Sequence, residues 1–237
     1  MDVRITVCLP TYDERENLEP MVRALGEQGV SVLVIDDSSP DGTGELADRL
    51  AAELENVEVL HRKTKEGLGP AYLAGFRHAL AGGAELILEM DADFSHDPND
   101  VPRLIESAGR ADIVLGSRYV EGGSIRNWGR LRRLVSAGGS GYARRVLGVQ
   151  VHDLAGGFKC FRREVLETID LDAITSRGYA FQIETTYRAL RAGFRVVEIP
   201  IAFVDRERGG SKMSRGIVLE AIWRVPMLRL RALLGRL

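Results

Sequence analysis

Short apolar runs alternate with amphipathic stretches along the first half of the chain. RITVCLP (residues 4–10) reads as a buried strand ended by its proline, and NLEPMVRALGEQ places Leu18, Met21, Val22 and Leu25 at helical spacing. VSVLVIDD (30–37) is a second, β-branched strand stopped by the turn residues SSPDGTG, and a helix follows over 45–54. VEVLHR is a third strand. GLGPAYLAGFRHAL is a third helix, entered through a glycine turn. AELILEMDAD (84–93) is a fourth strand, a short helix covers 98–107, and DIVLGSR (112–118) is a fifth strand. Strands alternating with helices of this length predict an α/β fold with a mostly parallel twisted sheet and helices on both faces.

The pattern changes after Arg118. YVEGGSIRNWGRLRR is rich in glycine and arginine and reads as a loop, followed by a helix over 132–147. DLAGGFKCFRREVL reads as a short strand running into a helix, YAFQIETTYRALRAG as another amphipathic helix, and FRVVEIPIAFV as a final strand interrupted at Pro200. In the last segment, Leu219, Trp223, Met227, Leu230, Leu234 and Leu237 fall within one narrow helical arc among arginines. Pro226 is expected to kink that helix or to start a second one. Residues 1–213 thus read as one domain and 214–237 as a basic amphipathic tail. Such a tail suits an anionic membrane surface as well as it suits the protein's own core.

Composition narrows the class. The 237 residues, 45 % hydrophobic and 28 % charged, can bury one substantial core. Cys8 and Cys160 lie in apolar surroundings, which argues against a disulfide scaffold and for a reducing compartment, the cytoplasm. Neither a signal peptide nor a transmembrane helix is expected; a span needs about 20 mostly apolar residues, and Arg224, Arg229 and Arg231 interrupt the C-terminal candidate. The net charge of −2 is unevenly placed. Residues 118–145 and 206–237 each carry +6, leaving −14 on the remainder, a split that suits an anionic partner on one side.

The candidate chemistry sits where the strands end. In open α/β sheets ligands bind at the carboxyl ends of the strands, and Asp36, Asp37, Asp91, Asp93 and Arg118 all fall there. Asp91 and Asp93, separated only by Ala92, repel each other unless something positive lies between them. On an extended segment both carboxylates face one side and suit a divalent cation that bridges to a diphosphate. Asp36 and Asp37 suit hydrogen bonds from a base or ribose, or else the turn that caps the next helix. Arg118, Arg132, Arg206 and Lys212 are the basic set, suited to phosphate oxygens. The four histidines show no metal-ligand spacing, and no P-loop or nucleophile elbow occurs. Response-regulator receiver domains also pair aspartates after an early strand, but they are shorter and lack the basic loop.

The blocks LPTYDERENL, VIDDSSPDGT, GLGPAYLAGF, MDADFSHDP, GSRY, RRLVSAGG, DLAGGFKCFRREVL, GYAFQIE and FVDRERGGSKMS resemble, in order and spacing, the dolichyl-phosphate (polyprenyl-phosphate) mannosyltransferases, inverting family-2 glycosyltransferases with the GT-A fold. The resemblance covers residues 5–214. It implies transfer of mannose from GDP-mannose to a polyprenyl monophosphate, giving polyprenyl phosphomannose and GDP. It places Pro10, Tyr12, Glu14 and Asp37 on guanosine, and Asp91 and Asp93 on Mg²⁺ or Mn²⁺ with the diphosphate. Ser95 stands where the family often has Gln and reaches the metal weakly or through water. Arg118, Arg132 and Ser136 would grip the acceptor phosphate, and Arg206 and Lys212 would close over the phosphates. Asp13 replaces the family's usual Asn, and Ala137 a common basic residue. The implied setting is peripheral, on the cytoplasmic face of a membrane, with room for a membrane-anchoring partner protein and no role for nucleic acid. The competing readings are a polyprenyl-phosphate glucosyltransferase using UDP-glucose and a catalytically silent nucleotide-sugar-binding protein.

Overall fold

A computed structural model of the chain describes residues 3–205, 215–235 and 237. Its centre is a seven-stranded sheet made by β1 (Ile5–Thr11), β2 (Ser31–Asp36), β3 (Val57–His61), β4 (Leu86–Glu89), β5 (Ile113–Ser117), β7 (Lys159–Arg162) and β8 (Val196–Pro200). Their order is β3-β2-β1-β4-β7-β5-β8. All neighbours run parallel except β7, which is antiparallel to both β4 and β5.

The strands are apolar on both faces because both faces are covered. On β1, Val7 and Leu9 join one core while Cys8 joins the other; on β2, Val32 and Val34 oppose Leu33 and Ile35. One face packs α1 (Arg15–Glu27), α2 (Thr43–Glu53) and α4 (Val101–Ser107). The other packs α3 (Leu68–Ala81), α6 (Arg163–Thr168) and α7 (Gly178–Arg191). Both cysteines are buried and unpaired, and burial pushes the Cys160 thiol up to about 12.

Three expectations need correction. The glycine- and arginine-rich segment after Arg118 is not only loop. It holds β6 (Ser124–Arg126) and the start of α5 (Arg130–Leu147), two residues earlier than the periodicity suggests. The last strand does not resume after Pro200: β9 (Ala202–Val204) leaves the main sheet and pairs in parallel with β6. Pro226 does not divide the tail, because α8 (Arg215–Leu233) runs through it as one helix.

α8 packs along α7 and α5. Val225, Leu228 and Ala232 enter a third core with Leu115, Ala143, Leu147, Ile183 and Tyr187. Most of the arc read from the sequence is the opposite side, but Leu237, beyond the end of α8, packs against the third core. Trp223 is 78 % exposed, Leu230 56 % and Leu234 58 %, with Met227 also exposed; the Leu219 side chain lies outside the described residues. α5 repeats the arrangement. Leu131, Leu134, Val135 and Tyr142 form an exposed stripe, and the two stripes meet where Tyr142 Oη donates to the Ile222 carbonyl at 3.0 Å.

Candidate active site

β1 has β2 on one side and β4 on the other, so the chain reverses its direction of winding there, the position where open α/β sheets hold ligands. Four non-glycine residues among the described ones have positive φ: Asp13, Ser38, Phe94 and Asn127. The first three follow β1, β2 and β4, and the fourth lies between β6 and α5. Strained backbone concentrates where a site imposes it, and all the strain found here lies in the loops around this one edge.

The acidic loop is shaped locally. β4 ends at Glu89, so Asp91 and Asp93 lie beyond the strand in a bend, and strand alternation does not orient them. Instead Asp93 Oδ1 accepts from the Ser95 amide at 3.0 Å, Asp91 Oδ1 accepts from Tyr72 Oη at 3.3 Å, and the Asp91 amide reaches His96 Nδ1 at 3.5 Å. Burial holds the Tyr72 hydroxyl protonated, its pKa raised well above the ordinary value. His96 is buried, stacked on Phe158 at 5.0 Å, and burial pushes its pKa down to about 4. Its ring also senses the charges of Asp93, Arg118 and Asp153, which brings the acidic loop and the end of β5 into one neighbourhood. Ser95 Oγ is buried without a hydrogen-bond partner, an orphaned oxygen on the residue whose amide Asp93 holds. That donor set, oxygen only, fits Mg²⁺ or Mn²⁺. No cluster of three or more His, Cys, Asp or Glu occurs among the described residues.

Beneath this loop, Glu89 on β4 faces Lys159 on β7, with Nζ 2.9 Å from Oε1 and both side chains fully buried. Lys159 also donates to the Gln182 carbonyl at 3.3 Å and to the Gln182 side-chain oxygen. Burial lowers the lysine's pKa and raises the glutamate's.

On the donor side, Asp37 is buried, accepts from Arg62 and receives the Gly67 amide at 3.4 Å. Asp36 accepts from the Ser39 amide and holds the turn before α2. The Glu14 amide donates to Thr43 Oγ1 at 3.1 Å, and Asn17 Nδ2 donates to its carboxylate at 2.8 Å. Pro10 lies near the end of β1, and Lys65 Nζ sits 3.3 Å from the centre of the Tyr12 ring. Pro10, Tyr12, Glu14 and Asp37 therefore gather along one edge, with Arg62 and Lys65 as basic neighbours that no periodicity or motif singled out.

On the other side, Arg118 is not an open phosphate fork. Its Nε and Nη2 donate to Asp153 Oδ2 and Oδ1, both at 2.7 Å, and its own amide donates to the same carboxylate at 3.0 Å. Burial alone would lower the Arg118 pKa, but the hydrogen bonds and charge of Asp153 outweigh it and leave it above the ordinary arginine value. The turn that carries Arg118 is tight. A Cβ on Gly123 would lie 2.7 Å from the Ser117 carbonyl oxygen, so only glycine fits. α5 places Arg132 and Ser136 one turn apart on one face. Arg132 Nη1 donates to Asp205 at 2.6 Å, and Ser136 Oγ accepts from Tyr119 Oη at 2.8 Å. Arg206 and Lys212 lie outside the described residues.

Comparison with known proteins agrees with this architecture. Two curated relatives span almost all of the chain. An undecaprenyl-phosphate mannosyltransferase from Micrococcus luteus is 50 % identical over 93 % of this chain and 91 % of its own length. A polyprenol monophosphomannose synthase from Mycolicibacterium smegmatis is 49 % identical over 98 % and 89 %. Among solved structures, a Mycobacterium tuberculosis glucosyl-3-phosphoglycerate synthase complex with Mn²⁺, UDP-glucose and phosphoglyceric acid aligns with a TM-score of 0.68 at 20 % identity, covering 94 % of this chain and 80 % of that one. A Pyrobaculum calidifontis mannosyltransferase with GDP-mannose and Mn²⁺ aligns at 0.59 and 16 %, covering 99 % and 75 %. These two share the fold, the GT-A arrangement. The sequence model for glycosyl transferase family 2 matches residues 6–170, and with it the chain is placed: it is a glycosyltransferase of family 2.

Proposed function

We propose that the protein transfers mannose from GDP-mannose to a polyprenyl monophosphate, with inversion, releasing GDP. One observation carries the reading: near half-identity, across almost the whole chain, to two proteins named for mannosyl transfer to polyprenyl phosphate.

The chemistry suits the residues. Inverting transfer to an alcohol requires a general base, whereas a phosphate monoester, with a second pKa of about 6, is largely ionised near neutral pH. One of its oxygens attacks the anomeric carbon of mannose from the face opposite the diphosphate. The new C–O bond forms as the bond to the diphosphate breaks, and the electron pair leaves with GDP. No proton has to be removed. The protein's task is to orient the two phosphates and to stabilise the leaving charge. Asp91 and Asp93, with Ser95 reaching directly or through water, would hold the Mg²⁺ or Mn²⁺ that supplies charge neutralisation at the diphosphate. Pro10, Tyr12, Glu14 and Asp37 form the guanosine edge. Arg118, Arg132 and Ser136 receive the acceptor phosphate, with Arg206 and Lys212 closing over the phosphates.

The acceptor is lipid-bound, and α5 and α8 supply the approach. No helix among the described residues is long and apolar enough to cross a membrane. The bare stripes on α5 and α8 instead suit a peripheral position on the cytoplasmic face, with arginines along both helices for anionic headgroups.

The test gives purified protein Mg²⁺ or Mn²⁺ and a polyprenyl phosphate, with GDP-mannose and UDP-glucose in competition, and weighs the lipid products by mass spectrometry. A hexosyl phospholipid formed from GDP-mannose, with GDP released, is the expected result. Product from UDP-glucose alone moves the chain to a glucosyl donor. Bound nucleotide sugar without any lipid product defeats the reading.

A further inference from the structure

Trp128 belongs to none of the sequence blocks that point to the site, yet it lies at the centre of the basic side. It is 7 % exposed. The Arg132 guanidinium stands 4.2 Å from its ring centre and that of Arg118 5.7 Å. Its edge meets Phe203 at 5.3 Å; Phe203 meets His96 at 5.4 Å, and His96 stacks on Phe158. The indole is the outer rung of an aromatic ladder that starts in the loop after Asp93, so its place is set relative to the acidic side as well as to both arginines. Asn127, with φ of 63°, turns the chain to deliver it just before α5.

Two donors here are buried and have no acceptor: Trp128 Nε1 and, on the guanidinium stacked against it, Arg132 Nε. Buried N–H groups nearly always find partners, and an exception calls for one that arrives. A group with several oxygens and negative charge satisfies both donors together. We propose that Trp128 is a further acceptor-binding residue. Its indole N–H and Arg132 Nε donate to oxygens of the acceptor's phosphate monoester, while its ring face fixes the spacing of Arg118 and Arg132. The inference rests on the proposed function for the nature of the acceptor.

Trp128→Phe keeps an aromatic face and removes the N–H. At saturating GDP-mannose it is expected to raise the KM for polyprenyl phosphate about tenfold, as loss of one charge-assisted hydrogen bond does, with the KM for GDP-mannose unchanged. The melting temperature should hold or rise, since an unsatisfied buried donor has gone. A purely structural tryptophan would lower the melting temperature and move both KM values together. An unchanged acceptor KM overturns the proposal. Should the variant not fold, the native protein decides. Its Trp128 indole N–H resonance, told from that of Trp223 by a Trp223→Phe sample, should move downfield on addition of citronellyl phosphate and not of citronellol. An unmoved resonance overturns the proposal. A wild type that binds citronellyl phosphate in this way but makes no mannolipid defeats the functional reading and leaves the anion site standing.

Discussion

Asp153 closes on Arg118 from both ends of the guanidinium, with two 2.7 Å hydrogen bonds in a site where the carboxylate has no exposure at all. The arginine is thereby locked in one orientation before any phosphate arrives, and only part of its fork remains for a ligand. Asp153→Asn keeps the shape and removes the charge. It should cost about 2 kcal/mol, the scale of a hydrogen bond to a charged group, read as a lower urea midpoint, and should weaken transfer by raising the acceptor KM. An unchanged midpoint would show that the pair does not hold the loop.

Asp91→Asn removes one of the two carboxylates beyond β4 and should lower turnover by at least about 100-fold, in the range for loss of one charge-stabilising group. Tyr72→Phe removes only the hydroxyl that donates to Asp91 and should give a loss of about tenfold or less. Both are read as initial rates at saturating Mn²⁺. Full activity in Asp91→Asn would refute the metal assignment.

Glu89 and Lys159 make a buried pair whose desolvation opposes its attraction. Lys159→Met alone strands a carboxylate in the core and should cost about 3–5 kcal/mol. Adding Glu89→Met should restore most of that, read as a double-mutant cycle by urea unfolding. Additive losses in the double variant would mean that the two side chains do not compensate one another.

The exposed face of α8 can be tested without removing the helix. Deleting the tail would also withdraw Val225, Leu228 and Ala232 from the third core, so a loss of vesicle binding by the truncated chain would be ambiguous. Trp223→Asp with Leu230→Asp changes only exposed side chains. Sedimentation with anionic vesicles should fall sharply, while the melting temperature shifts by no more than about 2 °C. Vesicle binding equal to that of the wild type would reject the membrane-surface role.

His61 Nε2 donates to Asp48 Oδ1 at 2.8 Å, and its Nδ1 lies 3.6 Å from Asp36 Oδ2. The hydrogen bond with Asp48 is the main reason its pKa stands above 6.5, against the opposing effect of burial. A raised histidine pKa favours the folded state at pH below the unfolded value of about 6.5. That contribution is lost as pH rises through the folded value. NMR titration should place the His61 midpoint above 6.5 and show it falling in Asp48→Asn. A midpoint that stays put in the variant would assign the shift elsewhere.

The strands were legible because both faces of the sheet are covered, which turns VSVLVID and its neighbours into unbroken apolar runs. The acidic edge was legible because Asp37, Asp91 and Asp93 follow such runs directly. Partners across the fold were not. Asp153 lies 35 residues from Arg118 and Asp205 lies 73 from Arg132, and no local pattern reports pairings at that range. Trp128 was hidden inside a segment whose glycines and arginines read as plain loop. Trp223, Met227, Leu230 and Leu234 share an exposed face as the arc implied, but Leu237 turns to the third core, and the periodicity could not say that a second apolar side, through Val225 and Leu228, is the one that meets the core.

α5 carries Arg132 and Ser136 on one face and a bare apolar stripe through Leu131, Leu134 and Val135 on the face beside it. On the proposed docking, a leaflet under that stripe lies within about one helix diameter of the site, roughly 10 Å. On that reading a prenyl chain need not be pulled out of its leaflet for its phosphate to arrive, and the energy of extraction stays out of the barrier. Such a catalyst samples acceptors by lateral diffusion. Its rate should follow the mole fraction of acceptor in the leaflet and be indifferent, at fixed mole fraction, to how much lipid is suspended in the tube.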